Sequence, residues 1–192
     1  MRIILLLLIS AFSFSAFAVP TLEEEVQALK NTPRDYFDTG AICEEVARLE
    51  FEQEFQVPQY KVLTGIAYDN GDGTAGELDV IVFDNNTNKV IKIGEVKCWN
   101  DLKGALLKAR KQKARFFGNR DNAKNMSFKM THGTETFTRD QFAYVNEFIT
   151  IGPQGSKSAG FDYELAYSLR DLMNLREMML KCQHDKKCAS LR

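Results

Sequence analysis

The chain has 192 residues, of which 44% are hydrophobic and 27% charged, and its formal net charge is -1 at pH 7. These values are typical of an ordinary globular chain that is long enough for a single domain with a hydrophobic core. Because positive and negative charges nearly balance, composition alone indicates no partner, and the lack of repeats and low-complexity tracts excludes repeat architectures.

The N-terminal segment (1–18) has the organisation of a secretory signal peptide. It begins with Met-Arg, a short basic region, continues with an uninterrupted apolar run and ends in Ala-Phe-Ala, a small-x-small cleavage site. A membrane anchor is the alternative, but serines interrupt a run that is already short for a span of about 20 residues. We therefore expect a secreted or periplasmic protein that begins at Val19 and has no membrane association in its mature form.

Helical and extended patterns alternate along the rest of the chain. The predicted elements, in chain order, are a short helix within 19–38, a helix over 39–56, a strand over 60–68, two hairpin strands within 76–99, a helix over 101–118, a strand over 142–152 and a helix over 162–181. The polar residues 119–140 are predicted to form a long loop with little regular structure. This order predicts one α/β domain (19–192, core about 39–152) with a small mixed sheet flanked by helices.

Charged residues stand among apolar ones in the predicted hairpin, GELDVIVFDNNTNKVIKIGEVKCW (76–99). A register that pairs Asp79 with Glu95 leaves five residues, 85–89, in the turn, which is an allowed loop length. Because side chains alternate between the faces of a strand, this register places both acids and Lys97 at one end of one face.

Two carboxylates that meet across strands repel each other unless a cation lies between them. Paired acids supply the hard oxygen ligands that Mg²⁺ or Mn²⁺ requires, and a neighbouring lysine can stabilise charge developing on a phosphate. A solvated sheet edge with a Lys–Glu pair is the alternative explanation of the same residues.

The helix predicted over 39–56 offers a further carboxylate. With residues placed at 100° intervals, Glu44 lies at the edge of the apolar side, between Ala47 and Phe51. Glu45 falls among charged residues and is predicted to point to water. Glu44 is therefore the candidate third acid.

The helix predicted over 101–118 concentrates positive charge. Between Lys97 and Lys129 the chain has ten basic residues against two acidic ones. Gln112 falls on or beside the inward side of this helix. The residues that we expect to bind nucleic acid are Lys108, Arg110, Lys111, Lys113 and Arg115. A solubilising helix face is the alternative, but beside a metal site the phosphate backbone is the natural partner.

In an oxidising compartment, four cysteines favour disulfides. Cys182 and Cys188 can close a short loop if the helix ends near Cys182, because a continuous helix would separate them by about 9 Å. Cys43 and Cys98 would then pair by elimination, although four cysteines allow three connectivities. A zinc site that uses His184 is the alternative, although its spacing fits no standard pattern.

Together these residues resemble the PD-(D/E)xK nuclease superfamily, and they are especially similar to its members related to Holliday-junction resolvases. In that family a helix bearing Glu, a strand bearing Asp, a strand bearing (D/E)-x-K and a further helix follow one another. GAICEEVARLE, GELDVIV and GEVK match the first three. Residues 112–116 weakly resemble the Q-x-x-x-Tyr element of RecB-like members, with Phe116 in place of Tyr, and no Pro precedes Asp79. The resemblance covers residues 40–117.

The resemblance implies a restriction-endonuclease-like core and a metal-dependent nuclease, an endonuclease acting on DNA in preference to RNA. The implied ligands of Mg²⁺ or Mn²⁺ are Glu44, Asp79, Glu95 and the carbonyl of Val96. Lys97 would assist the attacking water, and Gln112 would complete the catalytic set. Glu77, on the same strand face as Asp79, is either a further ligand or a salt-bridge partner. A catalytically inactive module that binds nucleic acid or protein on the same fold is the alternative.

Overall fold

The computed structural model describes residues 19–123 and 125–191. The predicted signal peptide (1–18) lies outside the described residues, as do Lys124 and Arg192. The helices are α1 (Leu22–Leu29), α2 (Ala41–Glu54), α3 (Leu102–Asn122), α4 (Arg139–Phe142) and α5 (Leu169–His184). The strands are β1 (Tyr60–Asp69), β2 (Thr74–Asp84), β3 (Lys89–Val96), β4 (Ser127–Met130), β5 (Thr136–Phe137), β6 (Glu147–Gly152) and β7 (Tyr163–Glu164). A 3-10 turn covers Ser156–Ala159.

The strands form one mixed sheet of seven strands in the order β5-β4-β1-β2-β3-β6-β7. The strands β1, β2 and β3 make an antiparallel meander. The chain then crosses over through α3 and returns as β6, which lies parallel to β3. These elements confirm the predicted α/β class with a mixed sheet and flanking helices.

Side-chain alternation along β2 divides the core into two layers. Val80 and Val82 pack in the cluster that contains the buried residues of α1, α2 and α5. Ile81 and Phe83 pack in the opposite cluster, with side chains of α3 and α4. Because both faces of the central strands are covered, these strands appear in the sequence as nearly continuous apolar runs.

Two corrections concern the middle of the chain. Residues 119–140 are not a long loop: α3 continues to Asn122, and the strands β4 and β5 follow. The strand β4 pairs with β1, some 60 residues earlier in the chain, as in the pairing of Ala67 with Lys129. The strand predicted over 142–152 begins only at Glu147, because Phe142 ends α4, whose first turn is closed by a capping box.

The C-terminal helix also begins later than predicted. It was expected over 162–181, but α5 covers Leu169–His184. Residues 163–164 instead extend the sheet as β7, parallel to β6. The side chain of Ser168 accepts a hydrogen bond from the Asp171 amide, so this N-cap sets the start of the helix.

Close to Asp79 and Glu95, the strands β2 and β3 pair in the register that the sequence predicts. Val80 lies opposite Gly94, one pair away from Asp79 and Glu95. Nearer the turn, a bulge shifts the register by one residue and β3 begins at Lys89. The turn is therefore one residue shorter than predicted.

Both predicted disulfides are present. Cys182 lies in the last turn of α5, where the chain turns back so that it can bond to Cys188. The second bond joins Cys43 of α2 to Cys98, two residues beyond the end of β3. Both disulfides together leave no free cysteine among the described residues for the alternative zinc site. Two disulfides are also consistent with a secreted protein. Among residues 19–123 and 125–191, no helix is both long and apolar enough to cross a membrane.

The two disulfides should stabilise the fold unequally, because they lie 55 and 6 residues apart in sequence. The loop-entropy description gives about 4 kcal/mol for the Cys43–Cys98 bond and about 2 kcal/mol for the Cys182–Cys188 bond. Urea unfolding of the two double alanine variants, followed by circular dichroism, measures both losses. A larger loss for the C-terminal pair would contradict this expectation.

Candidate functional site

Charged side chains from three elements meet beside the middle of β2, at the C-terminal end of β3. Asp79 lies on β2, Glu95 near the end of β3, and Lys97 directly beyond that end, so that Glu95 and Lys97 share a face. Glu44 lies in the first turn of α2, which packs across these strands. Asp79 is 6% exposed, and Glu95 is fully buried.

Lys97 bridges the two acids. Its Nζ atom lies 2.5 Å from Glu95 Oε1 and 3.4 Å from Asp79 Oδ2. The same ammonium donates to the Val96 carbonyl at 2.9 Å, and the Val96 amide donates to Asp79 Oδ2 at 2.7 Å. The structure thus brings together the four residues at the centre of the predicted site.

Glu44 lies within electrostatic reach of Asp79 and forms an ion pair with Arg34. Burial, and then the charge of Asp79, raise the pKa of Glu44 to about 8, although Arg34 opposes the shift. The charge of Asp79 therefore reaches Glu44, as a shared site requires. Arg34, which is itself buried, had not been predicted from the sequence.

Gly65 of β1 allows three polar side chains to approach one another closely. Its φ is +67°, and a Cβ atom there would lie 2.4 Å from Thr131 Oγ1 and 3.2 Å from both Arg34 Nη1 and Glu77 Oε1. Burial raises the pKa of Glu77, while its hydrogen bond with Thr131 lowers it. Glu77 is thus placed at the border of the acidic group, and it forms no ion pair within 4.0 Å in the described part of the chain.

If all the acids of the group were ionised, their negative charge would exceed what Lys97 neutralises, and their pKa values are raised accordingly. Burial, and then the charge of Asp79, raise the pKa of Glu95 to about 9, against the opposing effect of Lys97. Burial also raises the pKa of Asp79, although Lys97 and the Val96 amide oppose it. Burial alone would lower the pKa of Lys97, but the two acids outweigh it, so that its pKa is raised. A cation bound among the acids would favour their ionised forms and so lower these pKa values.

The oxygen atoms of this group are of the chemical type that binds a divalent cation. Glu95 Oε2 is buried and has no hydrogen-bond partner among the described residues, which is costly for a carboxylate oxygen. Carboxylate and carbonyl oxygens are the ligands that Mg²⁺ and Mn²⁺ prefer. As the side chains lie, however, no three His, Cys, Asp or Glu residues in the described ranges are grouped as a metal centre. The ammonium of Lys97 lies between Asp79 and Glu95, and it would have to leave Glu95 for an ion to bind there.

The helix α3 contributes a polar cleft of about 320 Å³, which we call the α3 cleft. Its lining residues are Lys108, Lys111, Gln112 and Arg115. The Oε1 atom of Gln112 is buried without a hydrogen-bond partner among the described residues. Phe116, where the family pattern has Tyr, is buried and packs edge-on against Tyr68 at 5.6 Å.

Arg115 connects this cleft to the acids through Tyr68. Burial raises the pKa of Tyr68, whereas a hydrogen bond and the charge of Arg115 lower it, and the charge of Glu95 raises it slightly. Tyr68 therefore lies within electrostatic reach of both Arg115 and Glu95. Its place on β1, outside the predicted motifs, explains why it had not been identified from the sequence.

The predicted nucleic-acid-binding residues fall into two groups. Four of them are exposed on the outer side of α3: Lys108, Arg110, Lys111 and Arg115. Lys113 instead donates to the Phe148 carbonyl at 2.5 Å and lies over the Phe148 ring. The exposed four are the ones whose charged groups can reach an incoming phosphate, although Lys108 also lies over Trp99 and Arg115 also interacts with Tyr68.

The prediction that Glu45 points to water is wrong. Glu45 is 1% exposed, accepts a hydrogen bond from the Thr64 hydroxyl at 2.7 Å and forms an ion pair with Arg48 at 2.7 Å. The helix α2 packs against both the sheet and α5, so that more of its circumference is buried than one apolar face requires. Glu45 is consequently an internal structural residue, whereas the neighbouring Glu44 belongs to the acidic group.

A scan against protein-family models, a search of curated proteins and a search of solved structures each found no match. The function of the site therefore has to be inferred from its residues and from the order of the elements that carry them.

The raised carboxyl pKa values predict how the stability of the metal-free protein depends on pH. Glu44 and Glu95 hold protons to about pH 8 and 9 in the folded state, whereas their ordinary pKa is 4.5. The folded state therefore binds more protons than the unfolded state between these limits, and the free energy of unfolding should fall as the pH rises. Urea unfolding in EDTA at several pH values from 5 to 9 measures this slope.

Glu95→Gln should flatten that slope, because it removes the group with the higher pKa. Between pH 5 and pH 9 we expect the variant to lose about 1–3 kcal/mol less stability than the wild type, because an amide does not carry the burial cost that ionisation of Glu95 imposes. Glu147→Gln, which changes an exposed carboxylate on β6, is the matched control and should keep the wild-type slope. An unchanged slope in Glu95→Gln would show that this carboxyl group titrates normally.

Proposed function

We propose that the protein is an exported, divalent-metal-dependent nuclease that hydrolyses phosphodiester bonds in DNA or RNA. The observation that carries this proposal is the contact of Asp79, Glu95 and Lys97 where the middle of β2 meets the C-terminal end of β3. With Glu44 on the neighbouring helix, these residues have the types that metal-assisted phosphodiester hydrolysis requires.

The order of the elements supports the resemblance to the PD-(D/E)xK superfamily. The chain passes from α2 through the meander of β1, β2 and β3 to α3, and returns as β6 parallel to β3. The acids lie on the first helix and on the second and third strands of this series. This arrangement is what a restriction-endonuclease-like core predicts for them.

Each residue of the group has a role that follows from its position. Glu44, Asp79, Glu95 and the Val96 carbonyl would hold Mg²⁺ or Mn²⁺, and the bound ion would activate a water molecule and neutralise phosphate charge. Lys97, released from Glu95, can donate a hydrogen bond to a phosphate oxygen or orient the attacking water.

The α3 cleft supplies the contacts to the substrate. Its three basic side chains, Lys108, Lys111 and Arg115, can pair with successive phosphates. Gln112, with its unpartnered buried oxygen, can accept a hydrogen bond from a bound water molecule or from a base. DNA is the preferred substrate on the strength of the family resemblance.

A second candidate is a nucleic-acid-binding module without catalytic activity. It is favoured by one observation: Lys97 already pairs with both acids, and no group of three ligands is assembled in the described ranges. In such a module the charged residues would be a structural ion-pair network, and the exposed face of α3 would still bind phosphate.

Cleavage assays on variants separate these two functions. Asp79→Asn should weaken metal binding because it removes a ligand's charge while keeping its shape. Lys97→Ala should retain the ion but lose turnover by about 10²–10³-fold, the usual cost of removing one group that stabilises a transition state. Incubation of purified protein with plasmid DNA and with RNA, in Mg²⁺, Mn²⁺ or EDTA, measures cleavage.

Asp140→Asn is the matched control, since Asp140 is an exposed carboxylate in the first turn of α4, and it should cleave like the wild type. If the wild type binds nucleic acid but cleaves none with either ion, the non-catalytic module is the correct interpretation. Wild-type cleavage by both site variants would mean that the reaction uses other residues.

Binding should depend strongly on salt through the exposed face of α3. If its four exposed basic residues each contact a phosphate of duplex DNA, the slope of log K against log salt should be about -3 to -4. Their joint replacement by alanine should flatten this slope while leaving the fold intact. Fluorescence anisotropy of a labelled duplex at several salt concentrations measures the slope.

A control of equal charge uses four exposed basic residues at the C-terminal end: Arg170, Lys181, Lys186 and Lys187. Their replacement by alanine changes net charge by the same amount but should leave the slope as in the wild type. Equal flattening by both sets would indicate a response to net charge instead of a contact surface on α3.

A further inference from the structure

An exposed aromatic ring lies directly beyond the acidic group. Trp99, the single tryptophan of the chain, follows Lys97 by two residues and is 43% exposed. The residue between them, Cys98, is bonded to Cys43, which directly precedes Glu44 on α2. The disulfide therefore fixes the start of the Trp99 segment relative to the acids.

The same ring lies at one end of the α3 cleft. Lys108 Nζ is 4.6 Å from the centroid of the Trp99 ring, and Lys108 also lines the cleft with Gln112 and Arg115. Arg115, at the far side of this lining, is the residue that influences Tyr68 near Glu95. A row of positive charge thus connects an exposed aromatic surface with the surroundings of the acids.

Phosphate contacts alone do not explain an exposed tryptophan, because an indole ring offers no charge to a phosphate. Base stacking on an aromatic ring next to basic side chains is the usual arrangement in proteins that bind single strands. In a duplex the faces of the bases are covered by the neighbouring pairs, so that a protein ring can stack only on an unpaired base.

We propose that Trp99 is a stacking platform for an unpaired base and that single-stranded nucleic acid is the substrate class of this site. The base lies on the indole ring, while Lys108, Lys111 and Arg115 pair with the phosphates that lead to the acidic group. The statement about the substrate rests on the proposed nuclease function, but the binding of a single strand to Trp99 needs no metal.

Because Trp99 is the only tryptophan, intrinsic fluorescence reports this contact directly. The full mature chain, in EDTA to prevent cleavage, is titrated with an oligothymidylate of about 12 nucleotides, within the site sizes typical of single-strand binders. We expect the single strand to quench the emission and a blunt duplex of two fully complementary strands, which has no unpaired base, to leave it nearly unchanged. A single-stranded RNA of the same length tests whether the sugar matters.

Affinity of the variants is measured by anisotropy of the labelled oligonucleotide. Trp99→Ala should weaken single-strand binding by roughly 5- to 100-fold, the range for the loss of one base–aromatic stack. Trp99→Phe, which keeps a ring, should recover part of that loss. Both variants should unfold at wild-type urea concentrations.

Tyr144→Ala is the matched control. Tyr144 is 77% exposed and has Lys89 Nζ 5.9 Å from its ring centroid, but Lys89 begins β3, at the end opposite Glu95. This variant should bind the single strand like the wild type.

The proposal is overturned if the single strand binds without quenching, if Trp99→Ala binds as tightly as the wild type, or if neither DNA nor RNA binds. Equal quenching by the duplex, with equal loss in Trp99→Ala, would overturn the preference for single strands. These outcomes are independent of cleavage: a protein that stacks the single strand but never cuts it would support the platform and refute the nuclease.

Discussion

Two carboxylates, Asp79 and Glu95, are buried against each other with one lysine between them, and much of the structure serves to hold that group. Burial disfavours the charged form of each acid, and Lys97 compensates only part of the cost. Such an arrangement persists only where the surrounding packing fixes it. The adjacent apolar residues of β2 and β3, packed on both faces of the sheet, provide this packing.

Several local features bring further groups to the same place. The left-handed conformation of Gly65 on β1 leaves room for Arg34, Glu77 and Thr131 to approach. The bond between Cys43 and Cys98 connects the helix that carries Glu44 to the segment that follows Lys97. Each of these features helps to position a charged side chain, so the arrangement of the acidic group depends on several parts of the fold.

The centre of the site could be predicted from the sequence because its residues lie on two strands that are adjacent in the chain. Side chains alternate along a strand, and the hairpin joins β2 to β3 directly, so the positions of Asp79, Glu95 and Lys97 follow from one register. The same reasoning gave the wrong environment for Glu45. A helical wheel assumes one buried side, whereas α2 is covered by both the sheet and α5, and Glu45 is enclosed with Thr64 and Arg48.

By itself the sequence determined the mixed α/β class, the main helices, the hairpin with its three charged residues and the Cys182–Cys188 disulfide. These depend on periodicity, on turns and on cysteine spacing, all of which are local patterns. Only the tertiary structure decided the pairing of β4 with β1, the ion pair of Arg34 with Glu44 and the place of Trp99 beside the α3 cleft. The strands β4 and β1 lie about 60 residues apart in the chain. The other two contacts join residues that are only about ten positions apart but belong to different elements, whose mutual placement is set by the packing of the whole domain and not by a local pattern.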